Sequence, residues 1–418
     1  MLIQFSVENY KSFKEKAVLS MVASSDKSHE SNISVVGNSE RVLNTIVIYG
    51  ANAAGKTNLF KALATAIEMI RSSNKLQKTT TLDYIIPFLF DETSKEKSTS
   101  FEFVFTVENV KYVYGFSANT KAIVSEYLYA YYSFKPSTIF EREEDKYNFP
   151  KDKRMLDQLA EMNTPNKLFL STATAWNYDK TEPVYNWFES NIKTFSRYED
   201  MIKLSLAKLE NKKQDGLHEF VIDLLQESDI NINDFEIESR AIEDEELQST
   251  FGPFYQTIKD VQGFKGRKHN VSLKHIVQEG VEIDKAYTLN MSDESKGTEN
   301  LFMFAPILFD ALNNGSTLII DEIERSLHPI LVKYIISIFN STQRNPKNAQ
   351  LIFNTHNVEL MSLDVFRRDQ IYFVDKSTKT GISELYSLDE YSVRKEENIK
   401  KGYLLGRFGA IPSIVQKD

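Results

Sequence analysis

The stretch IVIYGANAAGKTNLFKAL, residues 46–63, decides how the chain is read. Four apolar, β-favouring residues lead into Gly50, a loop runs to Gly55, and Lys56-Thr57 opens a segment in which Leu59, Phe60 and Leu63 recur at helical spacing. Strand, tight loop and helix, with the spacing Gly50-x-x-x-x-Gly55-Lys56-Thr57, form a phosphate-binding P-loop. In such a loop the backbone N–H groups at the helix start cradle phosphates, Lys56 neutralises the β- and γ-phosphate charge, and the Thr57 hydroxyl ligates Mg2+. Asn52 and Asn58 lie in the same loop and first turn and are counted as nucleotide contacts with Gly50, Gly55, Lys56 and Thr57. The four fixed positions would arise by chance on the order of once in a hundred chains of this length. Ala53 and Ala54 stand where many P-loops carry Gly or Ser, and a left-handed backbone there costs roughly 1–2 kcal/mol.

A second chemical centre lies far downstream. TLIIDEIERSLHP, 317–329, is an apolar strand ending in Asp321-Glu322, and carboxylates that leave a sheet at its C-terminal edge meet the P-loop there. Asp321 is positioned to hold Mg2+ through water, and Glu322 to orient and deprotonate an attacking water, because phosphoryl transfer needs positioning and charge neutralisation. Shortly before it, NMSDESKGTENLFMF places Ser295, Gly297 and Thr298 at the start of a helix, an anion-binding arrangement. Shortly after it, the buried strand of AQLIFNTHN, 349–357, delivers His356 to the same edge.

The bulk numbers narrow the class. A chain of 418 residues, 41% hydrophobic, can bury a large core, and its length suggests two or three domains. The absence of cysteine excludes disulfides, thiolate metal sites and cysteine nucleophiles, and fits a reducing cytoplasm. The start MLIQFSVENYKSF alternates like an edge strand and has no signal-peptide pattern. LFMFAPILFDAL, 301–312, is too short to span a bilayer, so no membrane role is expected. A net charge of −9 argues against non-specific coating of nucleic acid, although KGRKHN at 265–270 and the stretch from Arg394 to Arg407 leave a local nucleic-acid contact open.

The fold class expected is α/β, a P-loop ATPase head with a mixed sheet, an antiparallel β-meander and a helical insertion. Residues 1–150 carry the P-loop and the meander, whose turns fall near Glu108-Asn109 and Ala118-Asn119. Residues 151–285 are mainly helical to about 230 and then return to short β-like pieces, with the acidic run EDEEL at 243–247 as a hairpin tip. Residues 286–418 complete the ATPase domain.

The order of P-loop, long insertion, Ser-x-Gly loop, Asp-Glu and strand-end His resembles the ABC-type ATPase heads of SMC, DNA-repair and OLD-like proteins. More narrowly the chain resembles stand-alone prokaryotic AAA-family ATP-binding proteins of abortive-infection and phage-defence cassettes, through NYKSF at 9–13, YGANAAGKTNLFKAL, ESKGTENLF, IIDEIERSLHP, FNTHN, RRDQIYFVDK and YLLGRFGAIP. The resemblance implies ATP and Mg2+ as ligands, Glu322 and His356 as catalytic groups, and Lys11 of NYKSF as a further nucleotide contact. It implies that Ser295, Gly297 and Thr298 act as the signature, and Ser326 to His328 as the D-loop. A homodimer or higher homo-oligomer would then be closed by ATP, each signature completing the partner's P-loop, with a separate effector, a nuclease or toxin, doing any cutting. No Q-loop glutamine can be assigned, and Tyr10 and Phe13 are equally candidates for adenine stacking and for the core. A DNA-repair or DNA-clamping ATPase is the alternative, although no heptad repeat long enough for coiled-coil arms is present. Nor is there a second carboxylate cluster or a His-Asn-His array that would make the chain a nuclease.

Overall fold

A computed structural model describes residues 1–37, 39–211, 215–242, 267–279, 283–325, 327–394 and 396–411. The acidic run 243–247, Ser326 and Lys395 therefore lie outside the described residues. The strands are β1 (Leu2–Glu8), β2 (Ala17–Ser20), β3 (Ile33–Val36), β4 (Glu40–Leu43), β5 (Thr45–Tyr49), β6 (Thr99–Val107), β7 (Val110–Ala118), β8 (Ile123–Tyr131), β9 (Ser137–Glu143), β10 (Lys146–Asn148), β11 (Ile192–Phe195), β12 (Asp234–Ala241), β13 (Arg267–Glu279), β14 (Ile283–Asn290), β15 (Thr317–Ile320), β16 (Gln350–Asn354), β17 (Ile371–Lys376) and β18 (Ser383–Ser387). The helices are α1 (Lys56–Ser72), α2 (Glu92–Glu96), α3 (Lys153–Met162), α4 (Phe169–Ala175), α5 (Glu182–Asn186), α6 (Tyr198–Glu210), α7 (Leu217–Glu227), α8 (Lys296–Asn314), α9 (Pro329–Phe339) and α10 (Ile399–Leu404).

The chain divides into two units, one made of residues 1–196 and 311–418 and the other of residues 197–310. Within the first unit, burial patterns separate two sheets. β5, β15 and β16 are buried at every position, as strands covered on both faces must be, and they pair parallel. They sit inside a six-stranded sheet of order β11-β15-β16-β5-β17-β18, in which only the terminal β17–β18 pair is antiparallel. β6 and β8 instead alternate buried and half-buried residues, and they belong to a seven-stranded antiparallel sheet of order β10-β9-β8-β7-β6-β1-β2.

The meander forms where its turns were expected. Glu108 and Asn109 both take left-handed backbone, at φ 47° and 65°, which closes a two-residue hairpin between β6 and β7. The first strand departs from expectation: β1 is not an edge strand but lies between β6 and β2, and Leu2, Ile3, Phe5, Ser6 and Val7 are all buried. The segment expected to be helical from 151 also holds a strand, β11, which pairs parallel with β15 from Ile192↔Thr317 to Phe195↔Ile320. The segment 151–285 is shared between the two units, since α3, α4, α5 and β11 belong to the first. The second unit contains α6, α7, the antiparallel sheet β12-β13-β14 and most of α8.

One buried ionic centre ties the meander to α4. The Glu126 carboxylate, on β8, accepts N–H bonds from Phe169 and Leu170 at 2.6 and 2.9 Å, satisfying donors at the helix start, and a hydroxyl bond from Tyr114 at 2.9 Å. Arg142 lies 3.6 Å away and donates to the carbonyls of Glu144, Lys167 and Pro165. Burial holds the Glu126 pKa above the usual carboxylate value, against the opposing pull of Arg142. Replacing Glu126 by Ala leaves the Tyr114 hydroxyl and two helix N–H groups without their acceptor and the buried Arg142 guanidinium without its counter-charge, and should lower stability by about 3–5 kcal/mol. The check is a urea titration, in which the midpoint falls at unchanged slope.

Candidate nucleotide-binding site

The loop between β5 and α1 is shaped by what its glycines exclude. A Cβ on Gly50 would lie 2.4 Å from the Val374 carbonyl oxygen of β17. Gly55 has φ 121°, and a Cβ there would meet Ser383 Oγ at 2.5 Å and Ser12 Oγ at 2.9 Å. These two serines clamp the end of the loop: Ser383 Oγ donates to the Ala54 carbonyl at 2.6 Å, the Ser383 N–H donates to the Ser12 carbonyl at 2.7 Å, and Asn58 Nδ2 donates to Ser12 Oγ at 2.9 Å. Ala53 takes the left-handed conformation at φ 62°, so the loop carries the strain that its missing glycine would have avoided. Asn52 is exposed and Thr57 half-buried at the mouth.

Lys56 is 5% exposed, and its Nζ donates to the carbonyls of Gly50 and Ala51 at 2.7 and 3.2 Å. Burial pulls its pKa below the usual lysine value, while the charges of Glu322, Glu324 and Asp321 push it back up. Those carboxylates reach the lysine because of strand register. β15 runs parallel to β16 with Ile320 opposite Phe353, and β16 runs parallel to β5 with Asn354 opposite Ile48, so Asp321-Glu322, Thr355-His356 and Gly50 leave the sheet at one edge.

Past the last strand pair, side chains continue the ladder. Asn354 is wholly buried; its Oδ1 accepts the Glu322 N–H at 2.6 Å and its Nδ2 donates to Asp321 Oδ1 at 2.5 Å. Glu322 is itself left-handed, at φ 54°. The His356 N–H donates to Glu324 Oε1 at 2.5 Å, and the His356 ring is exposed. A cavity of about 360 Å³ lies here, lined by Gly50, Ala51, Asn52, Thr355 and His356 together with Tyr403.

Tyr10 and Phe13 are core residues, 1% and 0% exposed; the Tyr10 hydroxyl bonds Thr65 at 3.0 Å and its ring meets Phe101 edge-on, so neither can stack on a base. Lys11 between them is left-handed at φ 51°, and its N–H donates to the Ile86 carbonyl. Partial burial, followed by repulsion from Lys61, lowers its pKa. Gln350 and Gln370 are buried and bonded to backbone and side chains of the sheet.

Ser295, Gly297 and Thr298 belong to the second unit. Ser295 Oγ accepts the Thr298 N–H at 3.1 Å and lies 2.9 Å from its hydroxyl, capping α8. A Cβ on Gly297 would meet only Ser295 Oγ, at an ordinary 3.7 Å, so packing among the described residues does not require this glycine.

Asn354, Ser12, Ser383 and Glu324 were not singled out from sequence. Asn354 and Glu324 stand inside quoted motifs, and an amide at a buried strand end was the available signal; Ser383 lies 329 residues from its partner and carried none.

A mixed sheet with a glycine-bounded loop, a buried lysine and an acidic strand end defines an α/β P-loop ATPase fold. A family described as "AAA domain, putative AbiEii toxin, Type IV TA system" matches residues 46–362, and the chain belongs to that family. No curated protein is significantly similar to it. Among solved structures it is similar to the SMC head domain from Thermotoga maritima, at 14% identity and TM-score 0.40 over 92% of this chain and 98% of that one. It is similar to the Smc head domain with an extended coiled coil from Pyrococcus furiosus, bound to the C-terminal domain of ScpA, at 11% and 0.41 over 97% and 98%. The Smc head domain with a coiled coil and joint from Pyrococcus yayanosii gives 11% and 0.43 over 96% and 99%.

Gly55→Ala should destabilise the protein by about 2 kcal/mol or more, from left-handed strain together with the Ser383 clash. Adding Ser383→Gly should recover part of that loss, and thermal unfolding of the two variants measures both.

Proposed function

We propose that the protein is an ATP-hydrolysing ABC-type ATPase that dimerises on nucleotide and regulates a separate effector protein in antiphage defence. The observation that carries this is the convergence, at one edge of the parallel sheet, of a buried lysine, two successive carboxylates and a strand-end histidine. In this proposal the loop N–H groups and Lys56 bind the triphosphate, with Gly50 and Gly55 giving the backbone its close approach. Asn52, Asn58 and Lys11 add contacts. Thr57 and Asp321, a hydroxyl and a carboxylate, suit a hard cation; they would hold Mg2+, which would supply charge neutralisation during phosphoryl transfer. Water attacks the γ-phosphorus, the bond to the β,γ-bridging oxygen breaks, ADP leaves, and Glu322 takes the water proton while His356 faces the γ-phosphate.

Ser295, Gly297 and Thr298 are assigned to the partner's γ-phosphate. The space above Gly297 supports this, since a glycine not required by the described packing suits the approach of a group from outside the chain. The N-terminal and C-terminal parts would together form one ATPase domain interrupted by an insertion. Among the described residues no helix is long and apolar enough to cross a membrane, and the site of action is taken to be the cytoplasm. The family's description, with its putative AbiEii toxin and Type IV TA system, supports a defence setting. For the alternative, a DNA clamp, the second unit would need long arms, and among the described residues its helices α6, α7 and α8 have 13, 11 and 19 residues.

Lys56→Ala should weaken ATP binding by about a hundredfold or more, whereas Glu322→Gln should bind normally and lower kcat by about 10²–10³, the range for a general base. Equilibrium titration with ATP beside steady-state turnover separates the two roles, and equal loss of binding in both variants would defeat the assignment. Ser295→Arg should bind ATP at its own Lys56 site yet lose hydrolysis and ATP-dependent association. Mixed with Lys56→Ala protein it should regain activity, because each heterodimer then holds one complete composite site; sedimentation and turnover on the mixtures decide this.

A further inference from the structure

Glu324 has no role in the chemistry above, yet it stands at the centre of its polar contacts. Its Oε1 accepts the His356 N–H at 2.5 Å, binding the strand-end loop to the segment that follows Asp321-Glu322. Its Oε2 is buried and, among the described residues, has no hydrogen-bond partner. The hydroxyl of Tyr49, a residue 1% exposed at the end of β5, is buried and partnerless in the same way. Burial first, and then the charge of Glu324, drive the Tyr49 pKa well above the usual tyrosine value. The Tyr49 ring also lines the cavity bounded by Gly50, Ala51, Asn52, Thr355 and His356. A buried donor or acceptor left unmade is costly, and each is satisfied where a water reaches it.

We propose that Glu324 is a positioning residue for His356: its Oε1 holds the His356 backbone and so ties the strand-end loop to the segment that follows Asp321-Glu322. The carboxylate thereby sets where the imidazole meets the terminal phosphate. This rests on the ATPase assignment above for its effect on turnover, but not for the brace itself.

The test uses the full-length protein and variants whose thermal unfolding matches wild type. In Glu324→Ala, kcat should fall about tenfold or more while ATP affinity stays within about threefold, as expected for a misplaced rather than a missing group. Glu324→Gln should keep at least about a third of the wild-type kcat, because its amide oxygen still accepts the His356 N–H. Glu324→Ala combined with His356→Ala should be no slower than the slower single variant. Additive losses, a Gln variant as slow as the Ala variant, or a parallel loss of ATP affinity would overturn the proposal. Hydrogen exchange of the His356 amide without nucleotide should accelerate in Glu324→Ala and not in Glu324→Gln, and unchanged exchange in Glu324→Ala overturns the brace. Wild-type protein that fails to hydrolyse ATP would overturn the ATPase assignment alone, since the exchange measurement needs no nucleotide.

Discussion

The chemistry of this molecule depends on one register. Parallel pairing of β15 with β16 and of β16 with β5 puts the three strand ends level, and groups drawn from residues 50, 321 and 356 then face one another. The pairing tolerates little error, because a one-residue slip turns every side chain to the opposite face and would exchange Asp321 for Ile320. Gln350, at the start of β16, holds the register from below: Leu2 N–H donates to its Oε1 at 2.7 Å, and its Nε2 donates to the carbonyls of Leu2 and Leu43 at 2.9 and 3.1 Å. Thr317 on β15 donates to the same Oε1 at 3.0 Å. One amide therefore joins the antiparallel sheet, through β1, to the parallel sheet.

That register brings Lys56 out of water. A buried ammonium is costly unless its protons are taken up, and here two of them go to the Gly50 and Ala51 carbonyls of its own loop. The loop is thus folded around its lysine, and the clamp of Ser12 and Ser383 from behind keeps the other end of the loop in place. Binding at such a loop needs no new backbone fold; the donors are already gathered at the N-terminus of α1.

The sequence made the chemical ends of this arrangement visible and hid its fastenings. Gly50, Gly55 and Lys56 were legible because the loop is local and its spacing fixed by geometry, and the β6–β7 turn because Glu108-Asn109 interrupts a clean period of two. β11 was hidden by its own pattern: in IKTF the buried residues are Ile192 and Phe195, three apart, which is helical spacing in a strand only four residues long. The burial of β1 was hidden for a related reason, since its alternation describes one face, while the strands on either side come from residues 17–20 and 99–107. Tyr10 and Phe13 could be resolved only by packing, against Phe101 and the rest of the core. Ser383 and Gln350 act across 329 and 348 residues, and no pattern within a window reports a contact of that length.

Three non-glycine residues of the site, Lys11, Ala53 and Glu322, take left-handed backbone, each at a cost of roughly 1–2 kcal/mol. Strain of this kind persists where neighbours over-determine it. For Glu322 the neighbour is Asn354, whose Oδ1 holds the strained residue's N–H while its Nδ2 fixes the carboxylate one residue earlier. The type of residue follows from those two duties. Aspartate at 354 could accept the N–H but would face Asp321 with a like charge; serine could not accept and donate over the same span; only a carboxamide offers an acceptor and a donor on one rigid plane. The left-handed turn in exchange points successive carboxylates, which a continuing strand would send to opposite faces, out of the sheet at the edge where Lys56 lies.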